Sequence, residues 1–181
     1  MIVSPLRVYI SSSWSGDLDD ERSATEDLIK SDLLMFPVYP KHAATRDVPS
    51  DYFKIMGECD LVVVILGERY SEHVFNEINY AFRNNMPVLC FKKDCERDGE
   101  LDEEVGLIET NRVITTKFKT VNDLRTGLKE AILELLSTKY KDYIEIEKAI
   151  MALITNGRIE ILKPKPLKNE YIGVSRINPY E

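Results

Sequence analysis

Leu61-Val62-Val63-Val64-Ile65-Leu66 is apolar at every position, and four of its six residues are β-branched. β-Branched side chains favour strands. A surface strand alternates apolar with polar residues, whereas a strand covered on both faces has no polar alternate to show. The run is too short to span a bilayer, which takes about 20 apolar residues. It therefore predicts the central strand of a parallel sheet with helices on both sides.

Working outward, Arg7–Ser11 (RVYIS) reads as the first strand. The segment from Ser12 to Leu34 changes to helical spacing, with Leu18, Ala24, Leu28 and Ile29 facing inward. Met35–Tyr39 is a second strand, placed at an edge by Pro37. Val48–Glu58 is a short helix, His73–Asn84 another, and Pro87–Phe91 the next strand. Lys92–Asn111 is so charged that it reads as a long exposed loop with at most one helical turn. Arg112–Phe118 follows as a strand and Val121–Ser137 as an amphipathic helix, with Leu124, Leu128, Ile132 and Leu135 on one side. Alternating strands and helices specify an α/β fold of three layers, flavodoxin-like, with five parallel strands in the order 2-1-3-4-5.

The last forty residues read differently. Tyr140–Thr155 spaces Tyr143, Ile146, Ile150 and Leu153 as a further helix ended by Gly157. Arg158–Leu162 and Tyr171–Ile177 pattern as strands around Lys163-Pro164-Lys165-Pro166. The expected organisation is an α/β domain over 1–138 and a helix-and-hairpin appendage over 139–181. That appendage could pack on its own domain, on a second copy or on a partner protein.

A chain of 181 residues can bury a core without disulfides or metals. Its formal charge of −7 argues against nucleic acid and anionic membrane as partners. Cys59, Cys90 and Cys95 form an odd set without CxxC spacing, as expected for reduced thiols in the cytoplasm. Met1–Ile10 lacks the apolar stretch and cleavage site of a signal peptide. His42 and His73 have no nearby Cys or Asp at ligand spacing, so no metal site is indicated. Neither a GxGxxG nor a Walker A loop is present.

In open parallel sheets, ligands bind beyond the carboxyl ends of the strands. The segments expected there are Ser11–Gly16, the loop Gly67–Ser71 and Phe91–Asp94, with the helix start Val74–Glu77 beside them. The serines could hold a ribose or cap a helix; Asp17, Asp19, Asp20 and Glu21 just after them would repel a phosphate. Arg69 and Tyr70 could contact a substrate or decorate the surface. Glu77, near the start of its helix, could face the crevice or complement the helix dipole.

Two segments together carry a family resemblance. Val8-Tyr9-Ile10-Ser11-Ser12-Ser13-Trp14 with Asp17-Leu18 and Glu21-Arg22 resembles the opening of an uncharacterised family of TIR-like domains, V-F-I-S-S-T-F then D-L and E-R. Glu58-Cys59-Asp60 through Ile65, Gly67, Arg69-Tyr70, Glu77, Tyr80-Ala81 and Pro87-Val88 is similar to that family's later pattern. Glu77-Ile78-Asn79-Tyr80-Ala81 with Pro87-Val88 also resembles the E-x-G-Y-A…P-V segment of nucleoside 2-deoxyribosyltransferases, whose glutamate attacks the anomeric carbon. TIR domains that cleave NAD use a glutamate on the corresponding helix. The resemblance makes Glu77 the catalytic candidate, with Ser11, Ser12, Ser13, Trp14, Gly67, Arg69, Tyr70 and Tyr80 as substrate-binding candidates. It implies a nucleoside- or nucleotide-like small molecule as substrate and no organic cofactor. Ser71–Phe75 replaces the D-x-G-T of the transferases, which leaves the acid that would protonate the departing base unplaced.

Three functions stay open at this level. One is cleavage or transfer of an N-glycosidic bond by Glu77. Another is a non-catalytic TIR-like signalling or nucleotide-sensing module, and the third an assembly protein with a vestigial crevice.

Overall fold

The computed structural model describes residues 5–14, 16–39, 48–110 and 115–155. Arg7–Ser12 (β1), Phe36–Val38 (β2), Leu61–Leu66 (β3), Val88–Lys93 (β4) and Thr115–Phe118 (β5) form one sheet in the order β2-β1-β3-β4-β5. All four pairings are parallel, with Val8 opposite Leu61 and Val62 opposite Val88. β3 lies in the middle and every one of its residues is buried, as its unbroken apolar run requires. β2 is the edge, where Pro37 interrupts no inner ladder.

Strand parity sorts side chains between two cores. Val8, Ile10, Leu61, Val63 and Ile65 pack with Leu18 and Ile29 and with Leu124, Leu128 and Ile132 of α5 (Val121–Thr155). Tyr9, Val62, Val64 and Leu66 pack on the opposite face. There they meet Met56 of α2 (Val48–Gly57), Val74, Phe75, Ile78 and Ala81 of α3 (Glu72–Arg83), and Leu101, Val105 and Ile108 of α4 (Gly99–Thr110). The parity of β1 thus points Tyr9 and Ser11 at α3 and Ser12 the other way.

Two expectations are corrected, and the first helix gains its bounds. Lys92–Asn111 is not a long loop: Lys92 and Lys93 extend β4, and α4 occupies Gly99–Thr110. Leu101, Val105 and Ile108, spaced four and three residues apart, bury one helical stripe that the surrounding acids obscure in the sequence. The first helix is α1 over Asp19–Asp27, followed by a wider π-type turn over Leu28–Asp32 in which Leu33 N–H donates to the Leu28 carbonyl at 3.0 Å. The two expected C-terminal helices are one continuous helix, α5.

Chain contacts divide the molecule into Met1–Ser137 and Thr138–Glu181, and α5 belongs to the first unit up to Ser137 and to the second beyond it. In the second unit the described residues are helical, and Tyr140, Tyr143, Ile146, Ile150 and Met151 are exposed. The expected hairpin over 158–177 lies outside the described residues. Among the described residues no helix is long and apolar enough to cross a membrane. All three cysteines are free, and burial pushes the Cys90 thiol up to about 12.

Candidate functional site

Helical spacing gives α3 two faces. Val74, Phe75, Ile78 and Ala81 pack on the sheet. His73, Asn76, Glu77, Tyr80 and Arg83 line a groove of about 640 Å³, closed on its other side by Tyr52 and Phe53 of α2. Small-molecule sites typically measure about 300–1,000 Å³.

Glu77 sits at the floor, 7% exposed. Its carboxyl reaches β1, where Tyr9 Oη donates to Oε1 at 2.7 Å and Ser11 Oγ donates to Oε2 at 2.5 Å. Tyr9 and Ser11 are two residues apart on β1, so the pleat aims both hydroxyls at one helix turn. Burial pushes the Glu77 carboxyl above its ordinary value; the hydrogen bonds from Ser11 and Tyr9 and the charge of His73 pull the other way. Burial, and then the Glu77 charge, hold the Tyr9 phenol far above its ordinary value, so it stays a donor. The arrangement fixes a carboxyl in orientation at the wall of a ligand-sized groove.

The aromatic side of the groove is preorganised. Phe53 and Tyr80 stack with ring centroids 4.7 Å apart and planes 18° apart. Gly57 ends α2 beside this pair, and a Cβ there would stand 2.8 Å from Tyr80 Oη. The missing side chain lets the ring settle against α2.

The strand-end loops are occupied by their own neighbours. Arg22 donates to Ser12 Oγ at 3.1 Å and to the Ser13 carbonyl, pairs with Asp19, and lies 4.2 Å from the Trp14 ring centre. Trp14 remains 44% exposed. Asp17 accepts the Glu68 N–H at 3.0 Å, with Gly67 packed against Asp17 and Leu18. Buried Glu21 pairs with Lys93 at 2.8 Å and holds that amine above its ordinary value. The cavity between Ser13, Gly67, Arg69 and Ser71 is about 10 Å³, room for roughly one water. Tyr70 stacks on Phe75 at 5.2 Å. Among the described residues no group of three metal-ligating side chains converges.

The structure therefore brings Glu77 and Tyr80 into one groove, with Ser11 behind the carboxylate. Ser13, Gly67 and Arg69 share the small cavity; Ser12 and Trp14 are tied to Arg22, and Tyr70 to Phe75. Sequence reading missed Tyr9, whose parity with Ser11 on a buried strand was the available signal. It also missed Phe53, Asn76 and Arg83. The latter two follow from the 3.6-residue spacing through Tyr80, four residues after Asn76 and three before Arg83; Phe53 had no local signal.

A family model described as a domain of unknown function (DUF4062) matches residues 7–155. The chain belongs to this family. The DUF4062 match spans β1 to the end of α5, so it covers the sheet, the groove and the helical part of the second unit. No curated protein sequence matches the chain significantly. Among solved structures, this DUF4062 chain is similar to the TIR domains in the structure of the activated Roq1 resistosome directly recognizing the pathogen effector XopQ. That likeness has a TM-score of 0.50 at 12% identity and covers 70% of this chain and 99% of the other. It is a likeness of fold: the DUF4062 chain has a TIR-like α/β architecture.

Proposed function

We propose that this protein cleaves or transfers the N-glycosidic bond of a nucleoside, nucleotide or NAD-like molecule bound between α2 and α3. The observation that carries the proposal is the Glu77 carboxyl, held on both oxygens by Tyr9 and Ser11 at the floor of the groove. A carboxylate so placed attacks the anomeric carbon, or stabilises the oxocarbenium-like centre as the base departs. Its two hydroxyl partners fix its aim and leave it little freedom to lose in the transition state. The stacked Phe53 and Tyr80 offer a flat apolar wall for base or sugar. Ser11 acts through Glu77, while Ser12, Ser13, Trp14, Gly67, Arg69 and Tyr70 build the strand-end rim. The likeness of the Glu77–Ala81 segment to nucleoside 2-deoxyribosyltransferases, and the TIR-like fold, support the same residue. The division into a catalytic domain over 1–138 and an appendage over 139–181 belongs to this proposal.

The test incubates the protein with NAD and a panel of nucleosides and their monophosphates and follows released base by chromatography. Wild type should release base, and Glu77→Gln, folded by circular dichroism, should lose at least about 100-fold of the rate. Release that survives Glu77→Gln removes the residue from the reaction.

A second reading, a non-catalytic signalling or sensing module that pairs with a second copy or another protein, draws on the exposed Tyr143, Ile146 and Ile150 of α5. It predicts saturable nucleotide binding or self-association in the absence of base release.

A further inference from the structure

Departure of the base from a neutral nucleoside needs a proton as well as a nucleophile, because the electron pair of the broken bond must settle on a base nitrogen; the cationic nicotinamide of an NAD-like substrate leaves neutral without one. Resting on the glycosidic reading above, we propose that His73 is the general acid that protonates the leaving base and the general base that activates the acceptor.

His73 precedes Glu77 by four residues on α3, one helical turn, so the two side chains lie on the same face. Both line the same groove, and His73 is exposed to it while Glu77 lies at its floor. The charge of His73 is felt at Glu77, where it favours the ionised carboxylate. Among the described residues the other acid–base side-chain types on this groove are tyrosine, arginine and glutamate, at Tyr52, Tyr80, Arg83 and Glu72. Tyr9 is behind Glu77, with its proton committed to that carboxylate. Among the described residues His73 is the groove's one imidazole, the side-chain type most often used for general acid–base work. The groove thus pairs a carboxylate with a proton carrier one turn apart, which is the pair the reaction needs.

The step balances. The Glu77 carboxylate forms a C1′–O bond as the C1′–N bond breaks, and the bonding pair passes to the base nitrogen. That nitrogen takes the proton of the His73 imidazolium, leaving a glycosyl ester, a neutral imidazole and a free base. The neutral imidazole then takes a proton from water or another acceptor as that acceptor's oxygen or nitrogen bonds to C1′. The ester bond breaks and returns its electron pair to Glu77, restoring carboxylate and imidazolium.

The experiment compares two ribosides that share a sugar, one with a nucleobase and one with a nitrophenolate leaving group, which departs without protonation. Wild type, Glu77→Gln, Glu72→Gln and His73→Ala of the full chain are assayed on both. His73→Ala should lose about 100- to 10,000-fold on the nucleobase substrate and less than about 10-fold on the nitrophenyl riboside. Added imidazole should restore base release by His73→Ala, which a merely structural histidine would not allow. Glu77→Gln should lose both substrates. Equal losses on the two substrates in His73→Ala, no loss on either, or the leaving-group signature in Glu72→Gln instead overturns the assignment of His73. Wild type that releases neither product overturns the glycosidic reading itself, whereas release indifferent to Glu77→Gln keeps the reaction but removes the carboxylate His73 is paired with; either outcome overturns the role of His73.

Discussion

Replacing Tyr9 by phenylalanine removes one hydroxyl from a fully buried ring and leaves the ring's packing in place. The lost bond is the 2.7 Å donation to Glu77 Oε1. A hydrogen bond to a charged group contributes about 1.5–3 kcal/mol and one between neutral groups about 0.5–1.5 kcal/mol. The cost of Tyr9→Phe is therefore set by the protonation state of Glu77. Burial has raised the folded-state pKa of Glu77 above its ordinary 4.5. A raised acid contributes stability that is present below about 4.5 and lost as pH rises through the folded value. In Tyr9→Phe that folded value climbs further, since a donor to the charged form is gone, and more stability is lost over the same rise. The gap between wild type and variant should thus grow from about 1 kcal/mol at a pH below 4.5 to about 2 kcal/mol at a pH above the folded value. Urea unfolding at both pH values measures it, with the slope m unchanged. A gap that is the same at both pH values, or that narrows with rising pH, would show that Tyr9 does not hold an ionising carboxylate.

Gly67→Ala should cost about 1–3 kcal/mol, because the new Cβ would collide with the Asp17 carboxylate and stand 3.0 Å from Leu18 Cγ; a melting temperature equal to wild type would show that the α1 entry yields freely. Lys93→Met leaves buried Glu21 without its cation and should cost about 2 kcal/mol, less than a fully buried pair because the amine is partly exposed. Since Lys93 is raised above 10.5, that contribution persists below about 10.5 and is lost as pH rises through the folded value. Unfolding measured at neutral and strongly alkaline pH should show the penalty shrinking; a pH-independent penalty would assign it to packing.

Much of the architecture is legible in the chain itself. Six apolar residues without a polar alternate force β3 into the middle of a covered sheet, and Pro37 keeps β2 at an edge. α4 stayed hidden because its stripe, Leu101, Val105 and Ile108, is thin and set among acids, so its burial depends on the sheet face it meets. The join of α5 across Lys139 was equally invisible, since charged residues there suit a helix or a linker.

Glu77 could be singled out from its segment, but its surroundings could not. Tyr9 and Glu77 are 68 residues apart, and only the pleat of β1 beneath α3 brings hydroxyl and carboxyl to 2.7 Å. The expected opening at the strand ends is filled by Arg22, Asp17 and the Glu21–Lys93 pair, contacts made between separate elements. The groove lies instead between α2 and α3, where Phe53 meets Tyr80. Periodicity along the chain sets which face of each element is apolar, because that depends on residues a few positions apart. Which polar groups meet across elements, and where a ligand-sized space is left open, follows from packing, and only the tertiary structure decided it.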